Sequence, residues 1–240
     1  MNSGIPSFLE ERNVIRREIN NKLYGPLPFT IANTLTILPF LFLCTVVFTI
    51  ISYWSIGLHE GASHFFRWLA FLFLGLVAAE FQSLLVASIF PIFVVALAIT
   101  AFLNGFWMVT QGYFIKAVNL PRFWYVNVSY TIWKILFWSF RYYWAHWINY
   151  ETFAFVILSY SDLSNLVFDC SGSIEDNTCQ CSFSSSLVSQ GQCAVSGDDV
   201  LRSLDYDGIS MTLYAFLVVI IILVYRVLFY IVLKYKKWLK

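Results

Sequence analysis

Charge is what this chain lacks most. Only 12% of its 240 residues are Asp, Glu, Lys or Arg, roughly half the share found in soluble domains. No charged residue falls between Leu23 and Leu58, nor between Phe81 and Ile115. Each gap is longer than the ~20 residues that cross a ~30 Å hydrocarbon core. These runs exclude a soluble globule and give an all-α, polytopic membrane protein. A basic excess is missing as well, because the net charge of +1 offers nucleic acid no electrostatic footing. The polar, mixed-charge start MNSGIPSFLEERNVIRRE lacks the apolar core of a secretory signal. Enzyme signatures are absent too: His59, His64 and His146 lack metal-ligand spacing, and no phosphate-binding G-x-x-x-x-G-K-[ST] loop occurs. No catalytic, cofactor-binding or metal-binding residue is therefore expected, and no internal repeat is found.

What charge there is crowds the two ends. Arg12, Arg16, Arg17 and Lys22 precede the first apolar run, and Lys234, Lys236, Lys237 and Lys240 follow the last. Flanking Lys and Arg stay on the cytoplasmic side, so both termini are expected there and the number of crossings is even. Residues 1–28 then form a cytoplasmic segment. Within it, 7–23 reads as an amphipathic helix, with Ser7 and Glu10 as a capping box and Ile15, Ile19 and Leu23 on one face. Tyr24-Gly25-Pro26 ends it. Such a helix lies on the membrane surface or docks on a partner domain; the plainer reading is a solvated lead-in.

Residues 29–112 hold three spans, near Phe29–Gly57 with a bend at Pro39, Phe66–Ser88, and Ile92–Gly112, the last two joined by a tight turn at Pro91. The final span, near Ile209–Leu233, opens the segment 209–240 that ends in the basic tail. Residues 113–160 are aromatic but broken by charge and proline. Parity allows zero or two crossings there, and a re-entrant element dipping in from outside fits best. Residues 161–208 are serine-rich and acidic, an external loop.

Four of the five cysteines lie in that loop: Cys170, Cys179, Cys181 and Cys193. An external, oxidising setting favours disulfides over zinc, and no C-x-x-C pair is present. Cys179 and Cys181 are too close to bond each other, which leaves 170–179 with 181–193, or 170–181 with 179–193. Cys44, mid-span, reads as packing. Asn127 heads a glycosylation sequon, a pattern common by chance. Glu80 and Arg226 fall inside spans, roughly 10–12 Å from the cytoplasmic ends at about 1.5 Å per residue. Buried membrane charges pair or line pathways, so an ion pair between them is expected; the alternative is Arg226 snorkelling to the headgroups.

Several segments resemble the membrane half of G-subfamily ABC transporters, the white/brown and drug-resistance-like half-transporters. Glu10-Glu11-Arg12, Arg17-Glu18 and Leu23-Tyr24-Gly25-Pro26 look like the stretch before that family's third span. Leu38-Pro39-Phe40 and Tyr53-Trp54-Ser55-Ile56-Gly57-Leu58 resemble motifs within and at the exit of that span, and Asn104-Gly105-Phe106 resembles the outer end of the fifth. Tyr143-Trp144 and Asn149-Tyr150-Glu151-Thr152-Phe153-Ala154-Phe155 resemble the re-entrant segment. Ser196-Gly197-Asp198-Asp199-Val200-Leu201 and Tyr225-Arg226 resemble the approach to and body of the sixth span.

The resemblance implies a dimer, with itself or another half-transporter, that exports hydrophobic compounds (lipid, sterol or drug-like). ATP and Mg would act on a nucleotide-binding domain outside these residues, since Met1 falls inside the loop before the third span. The plasma membrane is the expected location. Glu11, Arg12, Glu18 and Tyr24 would belong to the coupling helix. Ala98, Ala101 and Phe102 would line the substrate path, with Phe106 and Trp107 as its plug; ordinary helix packing is the plainer reading for each. The cysteine loop would hold disulfides within, and in some members between, subunits. One stretch departs from the family, Tyr125 to Arg141, whose removal restores the family spacing. It reads as a translated intron or as an extra re-entrant element. A second function reading is a non-transporting membrane protein, or an inactive fragment, that binds or assembles through its external loop. An intramembrane enzyme would need clustered catalytic groups that the chain does not show.

Overall fold

A computed structural model describes residues 4–57, 61–111, 125–126, 142–143, 148–171, 179–204, 206 and 208–235. Helix α1 spans Gly4–Asn20. It starts before Ser7, so the capping box expected from Ser7 and Glu10 does not form the helix start. Pro6 is accommodated because first-turn N–H groups have no intrahelical acceptor to lose. Ile5, Phe8 and Ile15 are buried and make the inner face, while Leu23 lies beyond the helix and is exposed. The chain turns with Lys22 in the left-handed region at φ 58°.

Among the described residues, four helices are long and apolar enough to cross a membrane. Helix α2, Pro26–Ile56, opens with Gly25 as N-cap and proline in its first turn, and runs unbroken through Pro39. Its inward ridge is hydroxylic and mostly threonine: Thr30, Thr45, Thr49 and Tyr53 are buried, while Leu35, Phe40, Leu43 and Ile51 face outward. Apolar side chains gain nothing by avoiding lipid, so small residues take the helix contact. The hydroxyls of Thr30, Thr34 and Thr45 donate to carbonyls four residues back at 2.7–2.8 Å, which satisfies them without water. Cys44 is exposed beside this ridge, not packed within it as the sequence suggested.

Helix α3, Ala62–Ile89, is the hub against which α1, α2, α4 and two of the later helices pack. From Val77 to Ser88 it is buried on nearly every side. The backbone breaks at Phe90 and Pro91, and α4 follows as Phe93–Thr110. Strands β1, Tyr125–Val126, and β2, Tyr142–Tyr143, pair antiparallel. The start of the family-atypical stretch thus pairs with the two residues that follow it; Asn127 itself lies outside the described residues, as does most of 113–160.

Helix α5, Tyr150–Leu163, packs between α3 and the last helix. Its 14 residues cover about 21 Å, too short to cross a bilayer. It lies close because Gly75 of α3 has no side chain: a Cβ there would sit 3.2 Å from that of Ala154. Strands β3, Val167–Asp169, and β4, Ala194–Ser196, pair antiparallel in the loop, with Phe168 opposite Val195. Helix α6, Gly197–Ser203, is capped by the Ser196 hydroxyl, which accepts from the Asp198 N–H at 3.3 Å. Helix α7, Met211–Tyr235, completes the bundle with Lys234 in its last turn. The main core joins α1, α3, α4, α5 and α7; a smaller one of Val156, Leu201 and Tyr206 fastens the loop to α5.

Candidate transport path and coupling contacts

Helix α4 has two unlike faces. Ala96, Thr100, Trp107 and Thr110 are buried. Ala98, Ala101, Phe102 and Gly105 are exposed and fall on one stripe at helical spacing. Phe102 is 69% exposed, although the helix behind it is tightly packed. The structure therefore brings Ala98, Ala101 and Phe102 together on one open surface. Phe106 flanks that stripe, half-buried, with its ring centroid 5.0 Å from that of Trp107. Trp107 points the other way and is only 8% exposed.

Trp107 is held by a polar cluster that the charge pattern alone does not reveal. Its indole N–H donates to Gln82 Oε1 at 2.8 Å, and the Tyr225 hydroxyl donates to the same oxygen at 3.2 Å. Gln82 Nε2 donates to Asn104 Oδ1 at 3.3 Å, which also receives the Tyr150 hydroxyl at 3.4 Å. Asn149, fully buried, caps α5 by accepting from the Glu151 N–H at 2.8 Å. Its Nδ2 donates back to the Trp107 carbonyl at 2.7 Å. One network thus ties α3, α4, α5 and α7. The signal in the sequence was the amides Gln82 and Asn104 inside uncharged runs. Glu151 is half-buried at the edge of this network, and burial pushes its carboxyl up to about 7 against the opposing hydrogen bond from Tyr150.

Glu80 and Arg226 are both buried, at 3% and 9% exposure. Each lies nine residues from the C-terminal end of its helix. Arg226 directs Nη1 to Asn33 Oδ1 of α2 at 3.1 Å and lays its guanidinium over the Phe81 ring, 3.4 Å from the centroid. Glu80 acts on it through its charge.

In the segment before α2, Tyr24 donates its hydroxyl to Glu18 at 2.6 Å and stacks on Phe29. Burial first, then the Glu18 bond, pushes the Tyr24 phenol up to about 12. Glu11 is exposed and Arg12 half-buried on the same helix. In the loop, disulfides join Cys170 to Cys181 and Cys179 to Cys193. Asp199 accepts the backbone N–H and the hydroxyl of Ser186, each at 2.8 Å. These bonds hold its carboxyl below the ordinary value. No group of three metal-ligating side chains occurs among the described residues.

The profile of the ABC-2 type transporter family matches residues 1–140. The chain belongs to the ABC-2 type transporter family. Its similar relatives bear G-subfamily names. ABC transporter G family member 11 of Arabidopsis thaliana is 34% identical over 171 residues, 71% of this chain and 22% of the relative. ABC transporter G family member 1 of Petunia hybrida is 34% identical over 129 residues, 53% of this chain and 20% of the relative. ABC transporter G family member STR2 of Petunia hybrida is 23% identical over 236 residues, 98% of this chain and 28% of the relative. The chain thus spans a fifth to rather more than a quarter of these relatives. Family membership makes the four apolar helices part of an ABC membrane domain.

Proposed function

We propose that this chain forms half of the membrane path of an ATP-driven exporter of hydrophobic compounds, lipid, sterol or drug-like, in a dimer with itself or another half-transporter. The observation that carries this reading is the open stripe of α4. Ala98, Ala101 and Phe102 stay uncovered while the back of the same helix is buried against Gln82 and its neighbours. A second subunit facing this stripe would enclose an apolar passage, as binding cavities are mostly apolar. Phe106 would close its outer end, and Trp107, anchored from behind, would fix where that ring sits.

ATP and Mg would act on a nucleotide-binding domain, with α1 as the helix that receives its motion; Glu11, Arg12, Glu18 and Tyr24 belong to that contact. Both termini would face the cytoplasm at the plasma membrane, and α5 would be the rising arm of an element dipping in from outside. In the complete transporter, Ala101→Trp should obstruct efflux of a fluorescent lipid analogue while ATP hydrolysis continues. Ala96→Ser on the covered face should leave efflux intact. Unimpaired efflux in Ala101→Trp would remove the stripe from the path.

A further inference from the structure

Tyr150, the first residue of α5, has one hydroxyl hydrogen and two acceptors within its reach. Its oxygen lies 3.3 Å from Glu151 Oε1 and 3.4 Å from Asn104 Oδ1 of α4. Both distances exceed the ~2.8 Å usual for such a bond, as befits a hydroxyl standing between rival acceptors. The ring itself is fixed: it is buried, and it stands edge-on to Tyr225 of α7 with centroids 6.4 Å apart. Only the hydrogen is free to turn. Of the two acceptors, Asn104 is always neutral, whereas Glu151 titrates. Burial pushes its carboxyl up to about 7, against the opposing Tyr150 bond. The titratable groups that feel its charge are Tyr150 beside it and Tyr225 on α7. Helices α3 and α4 bring the neutral amides Gln82 and Asn104 to this cluster. Among the described residues no basic side chain acts on Glu151.

We infer that Tyr150 is a proton-set latch between α5 and α4, its hydroxyl hydrogen going to Asn104 when Glu151 is protonated and to Glu151 when it is ionised. The physical argument is a count of hydrogens. A carboxylate only accepts, and its charge makes the bond it takes the stronger one. Ionised Glu151 therefore claims the Tyr150 hydrogen. Asn104 Oδ1 then keeps its bond from Gln82 Nε2 and loses the one from α5. Protonated Glu151 carries a hydrogen of its own, which it can donate to the Tyr150 oxygen, leaving the Tyr150 hydrogen for Asn104. The bond from Asn149 to the Trp107 carbonyl involves no titrating group and is the same in both states. Asn104 adjoins Gly105 of the open stripe, so acid fastens this part of α4 to α5 and alkali frees it. Such a switch needs a local charge change and an element with two arrangements; here these are the Glu151 proton and the Tyr150 hydroxyl. The device belongs to the folded chain and does not rest on the transport reading.

The test follows the protonated-carboxyl infrared band of the full chain in micelles as pH is raised. The part of the band missing in Glu151→Gln belongs to Glu151, and its midpoint in the parent should lie at about 7. Asn104→Ala removes the rival acceptor, so Tyr150 serves the carboxylate fully. The midpoint should then fall by about 0.5 pH unit, roughly a threefold change in proton affinity. Tyr150→Phe removes the donor, and the midpoint should rise. Adding Asn104→Ala to Tyr150→Phe should move it no further, because the two sites communicate through the hydroxyl alone. Asn104→Leu, which keeps the side-chain volume, serves if Asn104→Ala does not elute as a folded species. An unchanged midpoint in the Asn104 variant overturns the inference. So does an equal fall with and without Tyr150→Phe, which would mean that water had entered the site. A parent midpoint near 4.5 overturns it as well, since Glu151 would then sit in ordinary solvent.

Discussion

Gln82 Oε1 accepts two hydrogen bonds at once, from the Trp107 indole N–H at 2.8 Å and from the Tyr225 hydroxyl at 3.2 Å. A single amide oxygen on the central helix thereby holds one side chain from α4 and one from α7. Its Nε2 takes Asn104 as well, so the amide spends both its ends inside the bundle. In lipid no water replaces these partners, which makes the arrangement costly to break from its centre.

Gln82→Leu should accordingly destabilise more than Tyr225→Phe. The leucine would strand the indole N–H and the Tyr225 hydroxyl in the interior, at about 1–3 kcal/mol for each group left unsatisfied. Tyr225→Phe deletes one donor and leaves the Trp107 bond in place, at about 0.5–1.5 kcal/mol. Thermal melting of both variants in the same micelles checks the order. Equal stability of the two would mean that the shared oxygen is not the centre of the network.

The spans were legible because their signal is crude: uncharged runs long enough to cross a bilayer, with a proline at the turn between α3 and α4. The start of α1 was not, since Ser7 and Glu10 fit a capping box while Pro6 is equally content one position further into a helix. Charge patterning found Glu80 and Arg226 but not what Arg226 rests on. Phenylalanine in an apolar run carries no mark of being a cation's seat. The same blindness hid Gln82, whose neutral amide does not interrupt an uncharged stretch yet organises four helices. For Trp107 the sequence placed the residue near the C-terminal end of its span, where the helix has it. Its direction depends on Gln82, which is 25 residues away.

Glu151 supplies a pH dependence with a definite sign. Burial raises its folded pKa from 4.5 to about 7, partly offset by the Tyr150 hydrogen bond. The folded state therefore holds the proton more tightly than the unfolded one. Its stabilising contribution is complete below pH 4.5 and is lost as pH rises to about 7. The melting temperature of the parent, measured relative to Glu151→Gln, should fall across that window and level off above it. A difference that stays flat from pH 4.5 to 8 would show a carboxyl in ordinary contact with water.

Gly197 is where the disulfide-bearing loop meets α5, and its need for glycine is one of space alone. Its backbone is not left-handed, but an added Cβ would run into the carbonyl oxygen of Leu163, a main-chain atom that cannot swing aside. The Gly197 N–H also donates to the Leu166 carbonyl at 2.8 Å, which fixes the approach from the other side. Gly208 is the opposite case: φ is 68°, with nothing near an added Cβ. Gly208→Ala should cost about 1 kcal/mol from backbone strain. Gly197→Ala must instead push α5 and α6 apart, at about 1–3 kcal/mol or more, and with them the β3–β4 ladder that sets the cysteines in register. Counting reactive thiols after denaturation without reductant separates the two. Gly208→Ala should show Cys44 alone, as the parent does, while Gly197→Ala should add thiols from Cys170, Cys179, Cys181 and Cys193. If Gly197→Ala keeps both disulfides and the parent's melting temperature, α6 does not approach Leu163 as closely as described.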